Sequence, residues 1–203
     1  MKHIARLLLF VVIPTIGFSQ ENSQPRFLLE GTGLLTKFDG IEYRQGGGLN
    51  FDYFLGKKVS THYVAYFGPN YFELSPGVVT VPFVLLMLGD EIHFDNLQEF
   101  GAFLFLFAIS FENIALHFNL SDKMVLSPSI SLFRMRYFYE DISAERRNYL
   151  CMSGSAGIKL NQKIGKRLTV GAFAEGNMLY TGGNPIGFTT GFTIGFYFPK
   201  KDQ

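Results

Sequence analysis

The sequence predicts an all-β chain, built as an antiparallel up-and-down transmembrane β-barrel of about eight strands. Three observations carry that expectation. From Ile186 the chain alternates with a period of two, the signature of a β-strand. Phe188, Thr190, Phe192, Ile194, Phe196 and Phe198 fall on one face; Gly187, Thr189, Gly191, Thr193, Gly195 and Tyr197 fall on the other. Neither face carries a charge. A water-soluble sheet puts charge on its outer face, whereas a greasy outside and a small neutral inside suit a bilayer. Finally, tight turns at one end of the alternating segments face longer connections at the other, a pattern of outer-membrane barrels.

Composition agrees. The 203 residues are 47% hydrophobic and 17% charged, with 22 Gly, 23 Phe and no Trp. A typical globular chain carries about 25% charged residues. The formal net charge of +1 and the lack of a basic stripe give no case for nucleic acid as a partner.

The start reads as a secretory signal over residues 1–19. Lys2 and Arg6 form the positive region, Leu7 to Ile13 the apolar core, and Pro14 breaks it. Gly17-Phe18-Ser19 then offers a small-residue cleavage site before Gln20. The apolar core is shorter than the ~20 residues a transmembrane helix needs. Residues 20–203 form the expected barrel, exported to a Gram-negative outer membrane in a porin-like manner. With no Cys near the cleavage point, no lipid anchor is expected. Cys151, between Leu150 and Met152, is the only Cys. It reads as a small apolar filler and permits no internal disulfide.

The strands follow in order. Phe27 to Thr36 alternate up to a turn at Phe38-Asp39-Gly40, where Asp-Gly is a strong hairpin signal. Tyr43 to Leu55 form the second segment, Gly56-Lys57-Lys58 turns the chain, and Val59 to Phe67 form the third. Ile114 to Leu120 form the fourth, and Ser121-Asp122-Lys123 turns again. Val125 to Tyr139 make a long strand, with Asp141 to Arg147 as a charged loop after it. Tyr149 to Asn161 and Leu168 to Met178 follow, separated by a turn over residues 162–166, and Gly182 to Pro185 lead into the last strand. An even count puts both termini on the short-turn, periplasmic side. The long strand slips phase: Leu126, Ile130 and Leu132 are apolar at even positions, Phe133, Met135 and Tyr137 at odd ones. A β-bulge near Leu132 explains the slip, and Pro128 belongs at a seam or a weakly paired stretch.

Between strands 3 and 4 the alternation stops, and an apolar insert spans about residues 75–110. Ser75-Pro76 reads as a helix N-cap followed by a proline at the first helical position. Asp95 to Gln98 resemble a capping box before a second apolar run, Phe100 to Phe107. Two short helices are the favoured reading, and so apolar an insert must be buried in lipid at the barrel rim or against another protein surface, or simply pack over the barrel mouth. A β-hairpin giving ten strands is the alternative, opposed by Pro82.

The face opposite the apolar rows is mostly Gly, Ser, Thr and Asn, too poorly charged for a solvated surface. It is therefore assigned to the lumen. That places Glu30, Arg44, Asp52, His62, His117, Lys159 and Glu175 inside, where both signs of charge predict a salt-bridged plug. The sharper alternative uses His62 or His117 as a general base oriented by a carboxylate. No activated nucleophile, metal-ligand spacing, phosphate-binding loop or dinucleotide fingerprint accompanies them, so no catalytic residue, metal or cofactor is assigned. Tyr43, Tyr63, Tyr66, Tyr137, Tyr139 and Tyr180 either form interfacial girdles or reflect ordinary strand propensity.

With a signal segment, about eight alternating strands, tight periplasmic turns and an aromatic final strand, the chain resembles the small OmpA/OmpX-type outer-membrane barrels. The resemblance is architectural and covers most of the mature chain. Five residues follow Phe198, and the apolar insert is foreign to that family. The resemblance implies a role in envelope structure, surface interaction or small-ligand handling and transfers no functional residue; the chain is expected to be non-enzymatic, with a structural, envelope-integrity or surface-interaction role. Outer-membrane lipid is the expected partner and a monomer the expected state. The alternative is binding or transport of a small hydrophobic molecule, or a lipid-modifying enzyme.

Overall fold

The computed structural model describes residues 25–81, 84, 97–142, 145–180 and 185–199. The signal segment, the mature N-terminus at Gln20, the 182–184 turn and residues 85–96 of the insert lie outside them.

Ten strand segments pair antiparallel throughout and close on themselves. They are β1 (Pro25–Phe38), β2 (Ile41–Phe54), β3 (Val59–Gly68), β4 (Tyr71–Leu74), β5 (Ile114–Leu116), β6 (Phe118–Asn119), β7 (Met124–Ile142), β8 (Glu145–Ile164), β9 (Leu168–Leu179) and β10 (Ile186–Pro199). A helix, α1 (Leu97–Ser110), lies between β4 and β5. β1 pairs with both β2 and β10, which closes the ring. The wall has eight positions, because β4, β5 and β6 together occupy the fourth, between β3 and β7.

That split corrects the expected position of the insert. The chain turns tightly at Pro69-Asn70, with Asn70 at φ 60°, and strand 4 begins at once. Four residues later the chain leaves the wall, and it re-enters at Ile114. The insert therefore interrupts strand 4 rather than separating strands 3 and 4. A four-residue strand is too short to show a period, so Tyr71–Leu74 left no signal in the sequence. Residues 77–81 and 84 are helical, as is α1, so the helical reading holds over the described part.

The described parts of the insert do not sit over the barrel mouth. Where they meet the wall, at Gly77 and Ser110, they pack on its outside. Tyr63 points outward from β3, yet it is buried, and its hydroxyl donates to the Ser110 carbonyl at 2.7 Å. A Cβ on Gly77 would collide with the Tyr63 ring, so glycine lets the returning chain touch the wall there.

The predicted bulge is present between Ser131 and Arg134 of β7. Pro128 pairs with Ile158 on the β8 side; on its other side lies the break between β5 and β6, where its missing N–H costs no ladder bond. The expected charged loop at Asp141 to Arg147 is mostly strand. Backbone pairs Glu140–Arg147, Asp141–Arg146 and Ile142–Glu145 extend the β7–β8 hairpin. A stretch with charges at successive positions carries no hydrophobic period, which is why alternation misses it.

The outer rows are apolar. Leu35, Leu49, Phe67, Ile130, Ile158, Phe188, Phe192, Ile194 and Phe196 are all exposed. The inner rows are buried, and side chains fill the lumen. Three glycines on β10 make room: Gly187 lies under the Phe38 ring, Gly191 under the Phe173 ring and Gly195 under the Glu30 stem. That is the physical meaning of the Gly face of the final strand.

Candidate functional site

The lumen is the site that this fold builds, and two ionic clusters dominate it. The first lies toward the end that carries the termini. Lys159 on β8 donates to Glu30 on β1 at 2.6 Å and to Asp52 on β2 at 2.9 Å. Asn161 donates to the other Glu30 oxygen at 2.9 Å, and Thr193 adds a longer bond at 3.3 Å. His62 on β3 bonds to the free side of Asp52 through Nδ1. Each carboxylate oxygen thus meets a donor, the condition for keeping a charge away from water.

The second cluster stands higher. Arg134 on β7 grips Glu175 on β9 in a two-pronged contact, at 2.7 and 3.0 Å. It also donates to Glu73 on β4 at 2.9 Å. Arg136 donates to the same Glu73 oxygen at 2.9 Å and to Asn177 at 2.7 Å. Its guanidinium lies 4.9 Å from the centre of the Phe38 ring. The Tyr71 hydroxyl donates to the second Glu73 oxygen. A planar guanidinium suits this work, since it presents several donors in a fixed fork.

Tyr66 and Phe173 stack at 6.4 Å where the two clusters meet. Phe38, Tyr71, Phe138 and Leu179 close the end opposite the termini with an apolar layer. Between His62, Tyr66, Ser127, Lys159, Phe173 and Glu175 remains a cavity with room for roughly one water.

The residues singled out in the sequence divide as follows. Glu30, Asp52, His62 and Lys159 come together. Glu175 joins the other cluster. His117 is held between Ser60 at 2.7 Å and Ser127 at 2.9 Å, with the Phe54 ring 4.8 Å away. Arg44 lies on the inner row of β2 opposite Thr36 and is half-buried. The sequence reading missed Glu73, Arg134 and Arg136. Glu73 sits in the unrecognised start of strand 4. The two arginines follow the bulge, which shifts them onto the inner row. Had the phase been reset at Leu132, Arg134 and Arg136 would have been assigned inside.

Two of the tyrosines considered for interfacial girdles are placed elsewhere. Tyr66 points into the lumen and Tyr63 lies under the insert, both buried. Tyr43 and Tyr180 are exposed. Cys151 faces inward among the core residues, with its thiol 3.7 Å from the Arg136 carbonyl. Among the described residues, no group of three His, Cys, Asp or Glu side chains is placed to hold a metal ion.

A closed eight-stranded antiparallel barrel, apolar outside and packed inside with paired polar side chains, has the architecture of the small outer-membrane barrels. No protein-family model and no curated protein matches this chain. Among solved structures, it is similar to the N-terminal β-barrel domain of OprF from Pseudomonas aeruginosa, with 10% identity, a TM-score of 0.49, and 86% of this chain and 99% of that one covered. It is also similar to Ail, the attachment invasion locus protein of Yersinia pestis, with 11% identity, a TM-score of 0.46, and 88% and 100% covered. Neisserial surface protein A gives 7% identity, a TM-score of 0.45, and 85% and 96% covered. The architecture stands on the strand pairings and the two faces, not on these likenesses.

Proposed function

We propose that this protein is a non-enzymatic barrel of the outer membrane, exported through a cleaved signal, with a structural or surface-interaction role and a lumen closed by its own ion pairs. One observation carries the reading. Phe192 is 64% exposed, while its neighbour Thr193 is 1% exposed. In water that order is upside down; in hydrocarbon it is the favourable one. Surrounding lipid is then the partner, and the closed ring, interrupted only within strand 4 among the described residues, leaves no free edge strand to recruit a second copy.

The ion clusters explain the closed state. An eight-stranded barrel is only wide enough for its side chains; Lys159 reaches across the lumen from β8 to Glu30 on β1 and Asp52 on β2, while Arg134 and Arg136 tie β4 to β9 beside it. Carriage of a hydrophobic molecule through the barrel would need a continuous apolar path, and the cavity here holds about one water. Lipid chemistry at His62 or His117 would need a substrate-sized space beside them.

Membrane fractionation tests the reading. The protein should partition with outer membranes, migrate faster on a gel before boiling than after, and give no steady conductance in a planar bilayer. Recovery from the periplasm without detergent would sink it. Steady conductance would remove the closed lumen while leaving the location intact.

A further inference from the structure

The excursion from strand 4 presents a second surface, independent of the lumen. Both of its attachments lie within the apolar band. On β3 it docks on Tyr63, the middle residue of an outward row that runs from Val59 to Phe67. On β7 the Glu112 carboxylate binds the backbone at Leu132 and Phe133, next to exposed Ile130. The chain therefore leaves and re-enters the wall with outward apolar residues both above and below it.

The described helix of the excursion is apolar on all sides over its last three turns. From Phe100 to Ile109, α1 has no polar side chain. Phe103 and Ser110 are its only buried residues, and Phe105 is 64% exposed. A helix facing water needs a polar face. With 14 residues, α1 is about 21 Å long, short of a hydrocarbon core about 30 Å thick.

Its few hydroxyls are satisfied at home. Thr80 donates to the Pro76 carbonyl at 3.2 Å, one turn back. Ser110 donates to the Leu106 carbonyl at 2.7 Å, and the two hydroxyl oxygens are 2.7 Å apart. Hydroxyls in water have no need of such partners; hydroxyls in lipid do.

We propose that α1, tied at Ser110 to the outer face of β3, lies sideways within the hydrocarbon layer, with lipid acyl chains as its partner. The inference rests on the outer-membrane reading above. It makes the segment a lipid-contacting side element of the barrel rather than a water-exposed surface loop.

The absence of Trp from the chain gives a direct test. The full chain carrying Phe105→Trp is reconstituted in phosphatidylcholine vesicles with bromine on the acyl chains, and separately exposed to aqueous iodide. Leu104→Trp serves as a second insert position should the first variant fail to fold, and Phe192→Trp reports on the wall. Both insert probes should lose most of their emission to acyl-chain bromine and little to iodide, as Phe192→Trp should. If iodide quenches the insert probes while bromine quenches only the wall probe, the excursion is in water and the inference is overturned. Insert probes shielded from both quenchers would mean protein covers the helix, which also overturns it. If bromine fails to quench Phe192→Trp, the membrane reading itself falls.

Discussion

The Glu112 carboxylate accepts the backbone N–H of Leu132 at 2.6 Å and that of Phe133 at 3.1 Å through a single oxygen. It stands where the missing middle of strand 4 would have offered carbonyls to β7. On the other side of the break, the Ser75 hydroxyl accepts from Val64 N–H at 3.0 Å, and the Asn113 carbonyl accepts from His62 N–H at 3.1 Å. Three residues from the ends of the excursion thus complete the ladder that the excursion interrupts.

Glu112→Ala should therefore destabilise the barrel by about 1–3 kcal/mol for each backbone donor it leaves unpaired. Glu112→Gln keeps an acceptor oxygen and should recover most of that loss. Urea unfolding of the reconstituted protein measures both. Equal stability of all three proteins would show that the break is solvated.

Removing one partner from either ion cluster should cost far more than a surface pair would. Lys159→Met takes the cation from Glu30 and Asp52, and Arg134→Met strands Glu175 while leaving Glu73 with Arg136. Breaking a buried pair from one side typically costs about 3–5 kcal/mol. Lys159→Met combined with Glu30→Gln should be less destabilised than the sum of the two single changes, which a double-mutant cycle reads directly.

The facing of the final strand has its own measurement. Phe192→Arg should cost about 2–4 kcal/mol if that position meets the bilayer midplane. Thr193→Asn should be limited by lumen volume instead. Better tolerance of charge at Phe192 than at Thr193 in folding titrations would reverse the two faces.

Space, rather than chemistry, governs the inner glycines. Gly191→Val places methyl groups against the Phe173 ring and the facing β1 backbone, an overpacking that costs about 1–3 kcal/mol. Phe173→Leu in the same chain should relieve part of it. Additive losses would show that the β1 backbone, not the ring, is the obstacle.

Much of this molecule was legible in the order of its residues. Period-two alternation in β1, β2, β3, β9 and β10 fixes both strand and facing, because a strand has only two faces and water or lipid must choose between them. The phase slip at Leu132 announced its bulge, and Glu30, Asp52, Lys159 and Glu175 announced that charge would be enclosed. Periodicity cannot count a strand of four residues, so Tyr71–Leu74 and Glu73 within it escaped. Nor can it say which carboxylate meets which cation: Lys159 reaches Glu30 across 129 positions of sequence, and only ring closure brings them together. The place of the insert was likewise decided in three dimensions. An apolar run states that it must be covered, but the contact between Tyr63 and Ser110 anchors the end of α1 on the outer wall and not at the mouth, because the chain leaves the wall where strand 4 stops.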